Sequence, residues 1–167
     1  FNKKIDISEP FQNLFTQGMV CHETYKDMNG NFLYPDEIEK IGKNVLKKAD
    51  KSRVLVGPSE SMSKSKKNTV DPEAMIDQYG ADAVRWFILS DSPPEKDVQW
   101  SDTGVASANK FLQKIYNLTH LILNKTDKRS NKEIDNKFNL EINSFVNKID
   151  NSIKEFKFNV SIAHFYE

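Results

Sequence analysis

The sequence predicts an α/β segment that gives way to an all-α bundle, mainly α over the whole chain, on three observations. Asn29-Gly30, a pair that tolerates positive φ, separates two β-prone stretches in the first third. At Asp71-Pro72-Glu73 an N-cap, a proline at the first helical position and an acidic first turn follow one another. Further on, Phe138, Ile142, Phe145, Ile149, Ile153 and Phe156 recur at intervals of three and four, which places them on one helical face.

In chain order, Ser8 is a plausible N-cap, Glu9-Pro10 suits a first turn, and Gly18 is a natural stop after Phe11, Leu14 and Phe15, which predicts a short helix. Met19 to Lys26 and Phe32 to Tyr34 are the arms of a hairpin around Asn29-Gly30. Residues 36–51 are charged and ambiguous, with no clean period. Arg53-Val54-Leu55-Val56-Gly57 reads as a strand closed by Gly57-Pro58, so strands are expected only before Gly57. Residues 58–70 are mainly Ser, Lys, Glu and Asn, with almost nothing to pack, and read as a loop, of which 59–68 is expected to be poorly ordered or displaced.

Helices are expected from Asp71 onward. The first ends at Gly80, and Ala81 to Ser90 forms a second, stopped by Asp91-Ser92-Pro93-Pro94. Ser101-Asp102 caps a long helix whose apolar positions include Val105, Ala108, Leu112, Ile115, Leu118 and Ile122. Lys125 to Lys137 is a polar connection, and the Phe138 to Phe156 stripe then needs a partner helix. After an interruption at Lys157 to Asn159, Val160 to Glu167 begins another apolar-rich helix.

Composition narrows the function classes. The 167 residues, 38% apolar and 11% aromatic, suffice for a core in one domain or two small ones. Lys plus Arg and Asp plus Glu each number 24, so any RNA contact must be local and not driven by net charge. The single Cys21 excludes an internal disulfide, no Cys or His spacing suggests a metal site, and a cytoplasmic location fits. No apolar run approaches the roughly 20 residues of a membrane span. The opening Phe1-Asn2-Lys3-Lys4 has no initiator Met or signal pattern, so the chain is expected to start inside a longer protein.

Ser61-Met62-Ser63-Lys64-Ser65-Lys66-Lys67-Asn68, set between strand and capped helix, resembles the KMSKS signature of class I aminoacyl-tRNA synthetases. The resemblance continues through Asp71-Pro72, Tyr79-Gly80-Ala81-Asp82-Ala83-Val84-Arg85 and Trp100. Thr16-Gln17-Gly18-Met19-Val20, Lys66-Lys67-Asn68, the block from Ser90 to Trp100, and Phe158-Asn159-Val160-Ser161-Ile162-Ala163 look most like bacterial leucyl-tRNA synthetases. Valyl and isoleucyl relatives usually carry Gly-Asn after the signature.

That resemblance implies the end of a Rossmann-like catalytic domain over 1–70 and a truncated helical stem-contact and anticodon-binding-type domain over 71–167. It implies a parent that activates leucine with ATP, Mg2+ accompanying, and transfers it to tRNA(Leu). Lys64 would be the catalytic cation, with Met62, Ser63, Lys64 and Ser65 binding ATP. The His-Ile-Gly-His element that also binds ATP is absent, so this chain alone should be inactive.

Ser61 departs from the family, which usually has lysine there; Lys66 or Lys67 substitutes, or the position is dispensable. Two alternatives stay open: another class I synthetase (valyl, isoleucyl or methionyl), or a non-catalytic helical RNA-binding module. Other conspicuous residues read as structural. His22, His120 and His164 are isolated; Arg85 pairs with an acid such as Asp82; Trp86 is core; Trp100 braces the helical part; and the cluster from Lys43 to Arg53 is a solvated face.

Overall fold

The computed structural model describes residues 9–125 and 136–167. Strand β1 (Val20–Lys26) is the axis of the sheet. It pairs antiparallel with β2 (Phe32–Leu33) through a turn in which the Asp27 carboxylate accepts the Asn29 and Asn31 N–H groups, both at 2.9 Å. Gly30 takes a φ of +87° there, as the hairpin reading requires. The ambiguous stretch resolves into a separate hairpin, β3 (Ile38–Ile41) and β4 (Asn44–Lys47). Tyr25, Leu33, Ile38 and Val54 form a small core between hairpin and sheet.

Strand β5 (Leu55–Ser61) runs antiparallel to β1. It corrects the expectation that pairing stops at Gly57, because it continues through Gly57-Pro58 to Ser61. A register shift between Glu23 and Tyr25 leaves Gly57 and Pro58 without ladder partners on the outermost strand, where a missing proline N–H does no harm. A second correction lies further along. Val98–Gln99 forms β6, parallel to β1 and on the edge opposite β5, so strands are not confined to the first third.

The helices follow the expected punctuation. Helix α1 (Pro72–Tyr79) begins with Asp71 accepting the Glu73 N–H at 3.1 Å, and Gly80 separates it from α2 (Ala81–Asp91). Helix α3 (Asp102–Lys125) starts with the Ser101 hydroxyl accepting the Gly104 N–H at 3.1 Å. Ala83 and Phe87 of α2, Val105 and Ala108 of α3, and Val98 of β6 make the second core. Val98 thus packs with helices while its backbone pairs with the sheet. Trp100 lies edge-on to Phe87 at 5.6 Å, within the helical part, while its backbone N–H donates to the Cys21 carbonyl of the sheet at 2.8 Å. Arg85 does pair with Asp82, at 3.0 Å.

Helices α4 (Asn136–Lys154) and α5 (Phe158–Tyr166) complete the described structure; α5 begins two residues before the predicted Val160. Helix α5 packs on α2 and α4, joined by Trp86, Phe165, Tyr166 and Phe145 in edge-on aromatic contacts. The stripe finds its partner only in part: Phe145 and Ile149 are half-buried, whereas Phe138, Ile142, Ile153 and Phe156 remain exposed.

The predicted helix after Ser8 does not form. Residues 9–19 lack helix, the Gly18 N–H donates to the Pro94 carbonyl at 2.8 Å, and Phe15 stacks on Phe156 at 4.9 Å. A Cβ at Gly18 would collide with the Lys96 carbonyl, so Gly18 permits close backbone approach and does not stop a helix. The contacts that fix this segment, through Gly18 and Phe15, are tertiary. Ser8 and most of the predicted 125–137 connection lie outside the described residues.

Candidate nucleotide-binding loop

The loop begins where β5 ends, and the Met62 N–H donates to the Val20 carbonyl at 3.0 Å, so the sheet carries one residue into the motif. Ser63 is extended and caps a single 3-10 turn, Lys64–Lys66; its hydroxyl accepts the Lys66 N–H at 3.4 Å and stands 3.3 Å from the Ser65 hydroxyl. Lys67 then adopts the left-handed region, φ +51°, and its N–H donates to the Lys64 carbonyl at 3.3 Å. That reversal turns the chain inward. Asn68 is fully buried, which the reading of 58–70 as having almost nothing to pack did not anticipate.

Three lysines follow one another closely here, with different surroundings. The Lys66 ammonium is paired with Glu60, and the Lys67 ammonium stands 5.2 Å from the centre of the Tyr34 ring. Lys64 is exposed, and among the described residues no carboxylate or aromatic ring partners it. Of the four residues predicted to bind nucleotide, Lys64 and Ser65 face solvent and Met62 and Ser63 are half-buried at the loop base. The turn thus carries Ser63, Lys64 and Ser65, and Met62 joins it to the sheet.

Ser61 sits opposite Cys21 in the β1–β5 ladder. Burial and nearby Asp97 push the Cys21 thiol up, against a hydrogen bond from Ser61 that pulls it down. Position 61 thus adjoins a buried thiol on the strand that leads into the turn holding Lys64. His22 offers its backbone to the loop by accepting from the Asn68 side chain at 3.2 Å, while its ring packs edge-on to Tyr25. Sequence reasoning could not weigh Asn68, because one asparagine in a polar run looks like any other turn residue.

Beside the loop base a cleft of about 580 Å³ opens between the sheet and the start of α3, with Glu23, Tyr25, Lys40, Ser59, Gln99 and Trp100 among its walls. Glu23 accepts from the Tyr25 hydroxyl at 2.7 Å and from the Lys40 ammonium at 2.8 Å. The Lys40 contact, then Tyr25, holds the Glu23 carboxyl below its usual range, while burial and Glu23 push the Tyr25 phenol up to about 12. Among the described residues no three His, Cys, Asp or Glu side chains converge as a metal site.

A strand, a Ser-Lys-Ser turn, a helix capped by Asp71 and a second helix follow one another over the stretch from β5 to α2. Residues 51–101 fit the model of the class I tRNA synthetases (I, L, M and V). The chain is homologous to the leucine–tRNA ligases within that class. It is 46% identical to the leucine–tRNA ligase of Rickettsia typhi over 159 residues, 95% of this chain and 19% of the relative. With that of Neorickettsia sennetsu it is 47% identical over 164 residues, 98% and 19% respectively. The chain therefore spans about a fifth of the length of these relatives. The fold resembles a solved LeuRS–tRNA–LeuAMS ternary complex from Agrobacterium radiobacter K84, with a TM-score of 0.61 at 23% identity, covering 95% of this chain and 17% of that one.

Proposed function

We propose that this chain is the part of a cytoplasmic leucine–tRNA ligase that presents a phosphate-binding loop to ATP, with residues 1–70 closing the catalytic domain and 71–167 opening a tRNA-facing helical domain. In amino-acid activation a leucine carboxylate oxygen attacks the α-phosphorus of ATP, the bond from that phosphorus to the bridging oxygen breaks, and pyrophosphate leaves with the negative charge. An ammonium placed on the leaving phosphates stabilises that charge as it develops. Lys64 is the residue assigned this role. The observation that carries the assignment is its lack of any ionic or aromatic partner among the described residues, while Lys66 is held by Glu60 and Lys67 lies over Tyr34.

Met62, Ser63 and Ser65 complete the nucleotide contact, small hydroxyls and backbone permitting close approach. Leucine, ATP and tRNA(Leu) are the proposed substrates of the whole ligase. In a full-length leucine–tRNA ligase carrying this segment, Lys64→Ala slows leucine-dependent pyrophosphate exchange by roughly 10²–10³, as loss of one preorganised transition-state donor does. Leucine affinity changes little. Lys66→Ala and Lys67→Ala cost less, and Ser61→Lys rescues whichever of them has taken over the role of the missing lysine. An unaltered exchange rate in Lys64→Ala removes the assignment.

A further inference from the structure

We infer that Asn68 is the positioning residue of this loop: its buried amide ties Ser63 to the ends of β1 and β5 and so sets where Lys64 stands. The inference rests on the reading of Lys64 as the phosphate-binding cation. Asn68 is 0% exposed. Its Oδ1 accepts the Ser63 N–H at 2.9 Å, and its Nδ2 faces the carbonyl oxygens of Glu60, His22 and Ser61 at 3.0, 3.2 and 3.4 Å. The orientation of the amide follows from its neighbours. An N–H can only donate and carbonyls can only accept, so the oxygen must face Ser63 and the NH2 group the three carbonyls.

Each of these bonds ends on the loop, on the end of β5 that launches it, or on His22 of the adjoining β1, and none reaches either apolar core. Lys64 follows Ser63 directly, and its own carbonyl accepts from Lys67, which precedes Asn68. The lysine is therefore held at both sides, by the Ser63 N–H before it and by the left-handed Lys67 turn after it. Removing the amide leaves the Ser63 N–H and the three carbonyls without this partner, and the turn is free to shift relative to the sheet. A displacement of about 1 Å at a reacting group is enough to cost on the order of a hundredfold in rate.

The test uses a full-length leucine–tRNA ligase carrying this segment. Asn68→Ala lowers the kcat of pyrophosphate exchange by about 10-fold to 100-fold, with the leucine KM little changed. In a Lys64→Ala background the same substitution has little further effect, because a residue acting only through Lys64 has nothing left to position. Asn68→Ser, which keeps one hydroxyl able to donate and accept, falls between and carries the same comparison where the alanine variant does not fold. Normal exchange in the folded Asn68 variants, or a loss that multiplies undiminished onto that of Lys64→Ala, overturns the positioning role. A normal Lys64→Ala enzyme sinks the phosphate reading itself, whereas a slow Lys64→Ala enzyme beside normal Asn68 variants sinks only the role of Asn68.

Discussion

A phenol, a carboxylate and an ammonium show how one residue's titration reports its surroundings. Tyr25 is 1% exposed and donates to Glu23, which in turn accepts from Lys40. Burial first, then the Glu23 contact, carry its ionisation up to about 12. An unfolded tyrosine ionises near pH 10, so the stability tied to this proton is fully present below about pH 10 and is lost as pH rises toward 12. An ultraviolet titration of the folded chain should show a late phenolate step that Tyr25→Phe removes. Were all five tyrosines to ionise together near pH 10, the buried hydrogen-bonded phenol would be refuted. Lys64 and Asn68 make the complementary case, in which exposure leaves one residue available to a ligand and complete burial lets the other fix its place.

At the scale of elements, caps and close approaches set the geometry. Asp71 starts α1 by accepting the Glu73 N–H, directly after the loop, so Asp71→Ala should cost about 1 kcal/mol in a denaturant unfolding titration. No change in midpoint would mean that solvent satisfies that N–H equally well. Gly104 lets α3 approach α2, since a Cβ there would stand 2.5 Å from the Phe87 ring. Gly104→Ala should therefore destabilise by about 1–3 kcal/mol through overpacking, and the smaller, ringless side chain of a Phe87→Leu background should relieve part of the loss. Additive losses in the double variant would place the strain elsewhere.

Across the whole molecule, β6 couples the two halves. Its Val98 N–H donates to the Met19 carbonyl at 2.9 Å and the Trp100 N–H to the Cys21 carbonyl at 2.8 Å, while the Val98 side chain packs with Phe87 and Val105. The sheet that launches the loop is thus tied to the helices that follow it. The helices themselves leave apolar surface uncovered: Leu118 and Leu121 of α3 and Phe138, Leu140 and Val146 of α4 are all more than half exposed. Such a surface favours association. The 167-residue chain on its own should bind a hydrophobic dye and self-associate, and Leu118→Lys with Leu140→Lys should reduce both effects. A monomeric, dye-silent parent chain would count against it.

What the sequence determined by itself is local and periodic: the Asn29-Gly30 hairpin, the capped starts of α1 and α3, the helical character from Asp71 onward and the resemblance of the segment around Lys64 to a family signature. Each of these rests on groups within a few residues of one another, so the chain carries the information in order. Tertiary structure decided the rest, because the deciding partners lie far apart in sequence. Glu9 to Gly18 carries helix punctuation yet forms no helix, Gly18 bonding to Pro94 and Phe15 stacking on Phe156 instead. Val98–Gln99 is too short to read as a strand until β1 offers it an edge. Asn68 becomes the centre of the loop only when folding brings the His22 carbonyl to it, 46 residues away in the chain. Propensity favours an element over a few residues, but a buried polar group or a bare strand edge selects its partner across the whole fold.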